Sequence, residues 1–328
     1  MKIVGIGETV LDIVLRDGQA QAAVPGGSTF NAMISLGRTI GREHPEVPLL
    51  MVTQTGDDAV SQLVLSFMEA NGIRPDGVVR SPGQSTLSVA MLDSRGNARY
   101  EFFRDKELPA FQAPDLSFEA DDFVLFGSFF AISPETREQA RLLVRRAREA
   151  GATVYYDINF RKNHNAADSL PQIEENMALS TIVRGSSEDI EALYGTADAA
   201  AVYERHIAPL CPNFICTKGA RETEVFSPGV HLHFPVPQDT KVISTIGAGD
   251  NFNAGTLYAL LTSRLTAGER QASEQQETTL SGNASANALA SRPALKAQDW
   301  DRIVPIAHAF SANVVASLYN YVDPGFQP

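Results

Sequence analysis

Short apolar runs alternate with amphipathic helical patterns along most of this 328-residue chain. Runs typical of strands cover residues 2–7, 48–54, 122–127, 152–157, 181–184 and 213–217. Helical patterns cover residues 29–40, 58–71, 134–150, 187–194, 198–208, 249–263 and 300–318. This alternation predicts an α/β protein with a mostly parallel sheet covered by helices on both faces. Ligands of such sheets bind at the carboxyl ends of the strands.

Two stretches, residues 10–24 and 84–104, do not fit this alternation and look extended. A partly alternating run at 86–92, a polar turn at 93–97 and a second run at 98–103 predict a β-hairpin. We expect the two stretches to form a small β-flap that acts as a lid, a dimer interface or both; an edge hairpin without function is the alternative. Residues 266–299 show little periodicity, and we expect them to include a flexible loop.

Charge and composition exclude some classes of protein. The formal net charge of −12 disfavours non-specific binding to nucleic acid, which needs a basic surface. No apolar run approaches the roughly 18 residues that span a membrane, and residues 1–8 lack the layout of a signal peptide. We therefore expect a cytoplasmic protein. For Cys211 and Cys216, disulfide, metal and structural interpretations are open, and buried reduced thiols are favoured.

The segment Ser-Thr-Ile-Gly-Ala-Gly-Asp at residues 244–250 carries the strongest chemical signal. Gly247, Ala248 and Gly249 precede an apolar helical pattern, so backbone amides at the start of that helix can converge on an anion. Asp250 would repel a phosphate unless it had another task, such as taking a proton from an attacking hydroxyl. The segment predicts phosphoryl transfer to an alcohol; a glycine-rich turn into a core helix is the alternative.

Polar residues near the N-terminus suit a polyol ligand. Gly26 and Gly27 permit close approach to a ligand, and Asn31 offers both a donor and an acceptor. Asp12 follows the first predicted strand, where a carboxylate can accept hydrogen bonds from sugar hydroxyls. The alternatives are a helix cap with its turn for the first group and a solvated acid for Asp12.

Asp157, Asn159 and Arg161 alternate at the end of a predicted buried strand, so they share one side while the chain stays extended. Arg161 suits a transferring phosphoryl group or a substrate acid, and a structural salt bridge is the alternative.

Two further strand ends carry polar residues. Ser186 suits a helix N-cap with Asp189 three residues later, although these residues can also hold Mg²⁺ through water. The Thr217–Gly219 turn, which contains Lys218, can face a nucleotide or simply reverse the chain.

Taken in this order, these motifs resemble the ribokinase-like carbohydrate kinases, the PfkB family. The resemblance runs from Ile3 to about Tyr321. It implies a three-layer α/β/α sandwich with a mostly parallel central sheet and a small β-lid, in a single domain of residues 1–328. It also implies ATP, Mg²⁺ and phosphorylation of a sugar hydroxyl, with the sugar and ATP as small-molecule partners and a homodimer formed through the lid.

The resemblance also implies roles for individual residues. Asp250 becomes the base, the amides of Gly247, Ala248 and Gly249 bind the γ-phosphoryl group, and Arg161 lies near the phosphoryl path. The residues expected around the sugar are Asp12, Gly26, Gly27, Asn31, Phe103, Arg104, Asp157 and Asn159. Those expected near the nucleotide are Ser186, Thr217, Lys218, Gly219 and Asn283, with Asp189 holding the metal through water.

The chain departs from the family pattern at two places. Ser244 stands where the family has an acid that helps to bind a monovalent cation, which puts activation by K⁺ in doubt. Ser186 and Asp189 stand where the family has Asn-x-x-Glu near the metal. The run at 100–104 in the lid resembles fructokinase-like members, so fructose or a related ketose is the expected substrate. A sugar-acid kinase such as a 2-keto-3-deoxygluconate kinase, a nucleoside kinase and a non-catalytic sugar- or nucleotide-binding regulator remain alternatives.

Overall fold

The structure, a computed structural model, describes residues 1–92, 98–160, 165–277 and 293–328. Its strands are β1 (Ile3–Ile6), β2 (Val10–Arg16), β3 (Gln19–Gly26), β4 (Leu49–Gly56), β5 (Ile73–Arg74), β6 (Val78–Ser81), β7 (Leu87–Leu92), β8 (Ala98–Phe103), β9 (Phe123–Gly127), β10 (Thr153–Asp157), β11 (Ile182–Ser186), β12 (Asn213–Thr217), β13 (Glu222–Ser227) and β14 (Val230–Pro235). Its helices are α1 (Ser28–Arg38), α2 (Ile40–Glu43), α3 (Ala59–Ala70), α4 (Arg137–Glu149), α5 (Ala166–Leu179), α6 (Ser187–Tyr194), α7 (Ala199–Val202), α8 (Ala248–Glu277) and α9 (Ala297–Val315).

The central sheet has the strand order β14-β13-β12-β11-β10-β9-β1-β4-β5, and β6 also pairs with β4. The strands from β12 to β5 pair in parallel, whereas β13 and β14 pair antiparallel at one edge. The inner strands are buried along their whole length because helices cover both faces. The carboxyl ends of the parallel strands therefore meet at one edge, where the polar residues predicted for the site follow them.

Successive residues of each strand pack into opposite helix layers. Ile3 of β1 packs in a core formed with α1, α2, α3, α8 and α9, whereas its neighbour Val4 packs in a core formed with α4, α5, α6 and α7. Each layer buries its own apolar cluster against one face of the sheet. The predicted three-layer α/β/α fold is confirmed.

A second, four-stranded sheet has the order β3-β2-β7-β8, and we call it the small sheet. It combines the two stretches that did not fit the alternation in the sequence. The β7–β8 hairpin is antiparallel as predicted, and β7 joins β2 in parallel. The connections from β2 and β3 to β1 and α1 place the small sheet beside the carboxyl ends of the central strands.

The predicted strands and helices of the central domain are all present, with shifts of a few residues at their ends. Helix α5 is not apparent in the sequence because Pro171 lies inside it and interrupts its pattern. Helix α8 continues to Glu277, so part of the segment expected to be a loop is helical. Cys211 and Cys216 are both buried and neither forms a disulfide, as favoured from the sequence. No helix in the described parts of the chain has the length and hydropathy needed to cross a membrane.

Candidate active site

A cavity of about 570 Å³ lies between the carboxyl ends of the central strands, the start of α8 and the small sheet. Residues predicted from the sequence that line it are Asp12, Gly27, Asn31, Arg104, Asn159, Ser186, Asp189, Gly247, Gly249 and Asp250. These residues come from six separate parts of the chain, and the parallel sheet brings them together because its strands end at one edge. The cavity is the candidate active site.

Asp250 lies in the first turn of α8 and faces this cavity. Ser28 donates a hydrogen bond of 2.8 Å from its hydroxyl to Oδ1, and Asn31 donates one of 2.8 Å from Nδ2 to Oδ2. Both donors belong to the first turn of α1, so the two helix starts meet at this carboxylate. The two contacts fix the orientation of the carboxylate.

The segment before Asp250 forms a turn at the cavity wall, and this turn leads into α8. The first four amides of a helix lack intrahelical acceptors and carry the positive end of its dipole. Gly247 and Gly249 line the cavity, while the amide of Ala248 donates a 3.3 Å hydrogen bond to the carbonyl of Thr245. Ala248 therefore supports the turn with its amide, although the sequence placed all three amides around the anion.

Arg184 lies directly behind Gly249, where an added Cβ would come within 2.8 Å of Nη2. Its Nη1 donates to Asp157 Oδ1 at 3.0 Å, and its Nη2 donates to the hydroxyl of Thr217 at 2.7 Å. Burial opposes the charged form, but Asp157 and Asp189 outweigh it and raise the pKa of Arg184. A buried, permanently charged guanidinium thus adds to the positive field at the start of α8.

Asp157 is buried beneath the cavity and does not line it. Its Oδ2 accepts a 2.8 Å hydrogen bond from Nδ2 of Asn253 on α8, and its Oδ1 accepts from Arg184. Both oxygens are occupied by protein donors, so this carboxylate braces the guanidinium. The sequence placed Asp157 at the sugar, whereas the structure pairs it with Arg184 beneath the cavity.

Ser186 and Asp189 form the capping box of α6. Asp189 Oδ2 accepts hydrogen bonds from the amide of Ser186 at 2.6 Å and from its hydroxyl at 2.7 Å, and Oδ1 accepts from the amide of Phe160 at 2.8 Å. Burial is the largest cause of the raised pKa of Asp189. A direct metal bond would displace these donors, and a contact through water stays a prediction.

The neighbouring Glu188 is exposed and lines the same cavity, although the sequence did not single it out. Mg²⁺ in proteins is commonly held by one or two carboxylates together with water and substrate phosphates. Glu188 and Asp189 supply that donor chemistry beside the start of α8, so the residues present fit the ion.

Asp12 is buried at the inner wall of the cavity, where its Oδ2 accepts a 3.0 Å hydrogen bond from Nδ2 of Asn320. Gly26 lies behind it, and an added Cβ would come within 2.1 Å of the same oxygen. The absence of a side chain at Gly26 therefore makes room for the carboxylate, and Gly26 itself is not part of the lining.

The small sheet forms an aromatic wall. Tyr100 and Phe102 alternate along β8 on the cavity side, and their ring centroids are 6.0 Å apart. Arg104 lies 4.6 Å from the ring of Phe102 and pairs with Glu8 at 2.9 Å. Phe103 is 56% exposed and lies outside the lining. The sequence assigned Phe103 to the sugar, but strand alternation turns Phe102 rather than Phe103 toward the cavity.

Two residues of the cavity lining that are not glycine have a positive φ angle. Ser128 follows β9 with φ 54°, and Asn159 follows β10 with φ 37°. Such conformations cost on the order of 1–3 kcal/mol and tend to cluster at functional sites. Both lie at the carboxyl ends of neighbouring strands, which agrees with the location of the site.

The residues predicted near the nucleotide are only partly at the cavity. Thr217 accepts a hydrogen bond from Arg184, but Lys218 forms ion pairs with Glu222 and Glu224. Gly219 forms the turn to β13 with φ 60°. All three residues of this turn, Thr217, Lys218 and Gly219, lie outside the lining. Arg161 and Asn283 lie outside the described residues, so their roles stay predictions.

Sequence reasoning missed Ser28, Arg184, Glu8 and Asn320. Arg184 lies near the end of a parallel strand, which is the signal that singled out Asp157. Ser28 and Glu8 flank residues that were chosen, whereas Asn320 carries no local signal.

The model of the pfkB family of carbohydrate kinases matches residues 2–311. The chain belongs to the pfkB carbohydrate kinase family. This carbohydrate kinase is therefore a phosphotransferase, and its family implies ATP and a divalent metal. The resemblance seen in the sequence is confirmed.

Named relatives of the kinase act on two kinds of substrate. A fructokinase from Rhizobium leguminosarum bv. trifolii is 29% identical over 84% of this chain and 85% of the relative. An aminoimidazole riboside kinase from Salmonella typhimurium is 26% identical over 79% of this chain and 81% of the relative. A crystal structure of fructokinase from Vibrio cholerae O395, with fructose, ADP and calcium bound, shares the fold with a TM-score of 0.76 at 19% identity, covering 98% of this chain and 94% of that one.

Proposed function

We propose that this chain is an ATP-dependent fructokinase, with Asp250 as the base that accepts the proton of the attacking sugar hydroxyl. The observation that carries the proposal is the position of this carboxylate. It faces the cavity at the start of α8 and is oriented by Ser28 and Asn31 at 2.8 Å each. A base must be within hydrogen-bond reach of the proton that it takes, and a cavity-facing, oriented carboxylate meets that requirement.

The sugar fits between Asp12 and Asn31. Asp12 lines the cavity while Asn320 holds its Oδ2, and Asn31 has an Oδ1 without a hydrogen-bond partner in the described structure. A buried polar atom without a partner costs free energy unless a ligand supplies one. A sugar hydroxyl donating to Oδ1 of Asn31 removes that cost and lies next to Asp250, because Nδ2 of the same amide binds Asp250.

The phosphoryl group is expected at the start of α8. The amides at this helix start and the buried guanidinium of Arg184 provide positive charge on the side of the cavity next to Asp250. Phosphoryl transfer is accelerated mainly by positioning and by stabilising charge. When bound, Mg²⁺ neutralises phosphate charge, and Glu188 and Asp189 are the residues that would hold it.

A neutral sugar suits this cavity better than a sugar acid. Arg104 is the cationic side chain of the aromatic wall, and Glu8 already pairs with it at 2.9 Å. A substrate carboxylate would have to displace Glu8 or lie beside it, which places two negative charges close together. Stacking on Phe102 leaves the guanidinium able to bind hydroxyl oxygens.

A riboside is the second candidate. The aromatic faces of Tyr100, Phe102 and Phe129 border the cavity, and an aromatic base can stack on such faces. The relative that acts on aminoimidazole riboside gives this alternative independent support.

A coupled ADP-release assay tests the proposal. The wild-type protein is supplied with ATP and Mg²⁺ and screened against fructose, other ketoses, aldoses, sugar acids and ribosides. Fructose should give the highest kcat/KM, and Asp250→Asn should remove the activity. Highest kcat/KM for a riboside would replace the substrate, and absence of ADP release with every compound would favour a non-catalytic sugar- or nucleotide-binding protein.

Activation by K⁺ is expected to be weak. Ser244 is buried in the turn before α8, where its hydroxyl accepts a 3.2 Å hydrogen bond from the amide of Ile246. A neutral hydroxyl attracts a monovalent cation less than a carboxylate would. Replacing K⁺ by Na⁺ in the same assay should therefore leave kcat nearly unchanged, and strong dependence on K⁺ would contradict this expectation.

The small sheet supports a homodimer. Its outward face carries three apolar pairs in register across two strands, with Leu11 opposite Leu87, Ile13 opposite Val89 and Leu15 opposite Met91. An apolar sheet face without a covering layer favours association with a second copy. The same sheet borders the cavity with its inner face, so it would act as a lid as well as an interface. We expect the kinase to work in the cytoplasm, where ATP is available.

A further inference from the structure

Imidazole and carboxylate groups converge on the β13–β14 hairpin, separate from the lining of the cavity that holds Asp250. His231 and His233 are two residues apart on β14, so their side chains project from the same face of the sheet. Glu224 on β13 is the register partner of His233. One potential ligand atom from each of these residues lies within 4.8 Å of the others.

We propose that His231, His233 and Glu224 form a binding site for a divalent transition-metal ion of the zinc class. Two imidazole nitrogens and one carboxylate oxygen are a donor set that proteins use for Zn²⁺, with a fourth position for water. Mg²⁺ prefers oxygen ligands and keeps its water, so this site is distinct from the magnesium site of the kinase reaction.

The two carboxylate oxygens of Glu224 have different partners. Lys218 forms an ion pair with Oε1, and Nε2 of His231 lies 3.0 Å from Oε2. Glu224 is 4% exposed, so its position is fixed by the surrounding sheet. A metal ion at Oε2 leaves the ion pair with Lys218 intact and replaces only the contact to the imidazole.

Packing also holds the two imidazoles. The ring of His231 stacks on Phe226 with centroids 4.3 Å apart, and the rings of His231 and His233 are 4.6 Å apart. Nδ1 of His233 lies 3.1 Å from Oε2 of Glu222, a hydrogen bond that fixes the rotation of this ring. Oriented imidazoles bind a metal more tightly than mobile ones, because less conformational freedom is lost.

An ion can reach these ligands from solvent, since the side chains of His231 and His233 are 40% and 51% exposed. Beside His231 lies a second cavity of about 270 Å³, which Tyr203 also lines. This space lies next to the ring of His231, where a metal-bound water can be accommodated.

Protons compete with the metal for the imidazoles. The titratable groups around His231 are Glu204, Lys218, Glu222, Glu224 and His233. Affinity for the metal should fall at acidic pH, because a protonated imidazole nitrogen has no lone pair for the ion.

Calorimetric titration of chelator-treated protein with ZnCl₂, in the absence of ATP and Mg²⁺, tests the site. We expect one equivalent to bind with a dissociation constant of about 1 μM or lower. His231→Gln and His233→Gln should each weaken binding by about tenfold or more. Co²⁺ in place of Zn²⁺ should give the visible absorption of a low-coordinate site, which both variants should lose.

Two matched controls separate this site from other sources of zinc binding. His44→Gln removes an exposed histidine that pairs with Glu46 outside the hairpin, and it should leave the titration unchanged. Cys216→Ser removes a thiol in register with Glu224, and burial raises the pKa of this thiol to about 12, so binding should again be unchanged. Loss of binding in Cys216→Ser would overturn the ligand set. So would the absence of saturable binding, or full binding by the His231→Gln/His233→Gln double variant, with circular dichroism verifying the fold.

Discussion

Replacing Asp250 by asparagine isolates the chemistry proposed for this kinase, because the substitution preserves shape and removes only the negative charge. Ser28 can still donate to the remaining carbonyl oxygen from its present distance of 2.8 Å. The introduced amide would face Nδ2 of Asn31, so two donors would meet. Asn31 relieves the conflict by rotating its amide by half a turn, since its Oδ1 has no partner in the described structure and then accepts from the new amide.

The expected magnitude follows from these contacts. Both hydrogen bonds have a substitute, so the free energy of unfolding of Asp250→Asn should stay within about 1 kcal/mol of wild type. Loss of a general base lowers kcat by about 10²–10⁴-fold, which corresponds to roughly 3–5 kcal/mol of transition-state stabilisation. KM for the sugar should change much less than kcat, since the removed proton acceptor acts in the transition state.

The measurement combines coupled ADP release with urea denaturation, and Ser28→Ala is the matched control. This control removes one hydrogen bond to Asp250 but keeps the carboxylate, so its kcat should fall by less than about tenfold. If folded Asp250→Asn keeps more than about a tenth of the wild-type kcat, the carboxylate is not the base and the reasoning fails. A large loss of unfolding free energy would instead show that Asp250 acts structurally.

Three further predictions concern the surroundings of the site. Arg184→Lys keeps the charge but loses the forked contact that includes Asp157, so the free energy of unfolding measured in urea should fall by about 1–2 kcal/mol and kcat should fall as well. An unchanged kcat would show that Arg184 does not belong to the proposed phosphate site. Glu8→Gln frees Arg104 from its ion pair, and the ratio of kcat/KM for sugar acids to that for fructose should rise by about tenfold. A constant ratio would show that Arg104 does not contribute to substrate specificity. Val89→Asp places a charge on the outward face of the small sheet, and light scattering should then detect monomers; an unaltered dimer would place the interface elsewhere.

Most of the fold was predictable because most of its strands and helices are encoded locally. Apolar runs mark the buried parallel strands, and the glycine-rich turn before Asp250 marks a helix start with its chemistry. The order of these signals along the chain was enough to predict the layers and the edge of the sheet that carries the site. Helix α5 was missed because Pro171 weakens the periodic signal, while tertiary packing of Ile173 and Met177 still stabilises the helix.

The residues that the sequence did not reveal depend on contacts between distant segments. Arg184 gains its role from Asp157 and Thr217, which lie on the two flanking strands, and a single strand cannot show this arrangement. Alternation along β8 allowed either Phe102 or Phe103 to face the sugar, and only the packing of the small sheet decides between them.

Asn320 ties the last part of the chain to the sugar site, although it takes no part in the proposed chemistry. Its side chain holds Asp12, more than three hundred positions earlier, and its backbone carbonyl accepts a 2.8 Å hydrogen bond from Asn251, the neighbour of Asp250. Deleting the stretch from position 320 onward would therefore release an acid of the sugar pocket and loosen the first turn of α8 together. Affinity tags for this kinase are better attached beyond residue 328 than substituted for its final segment.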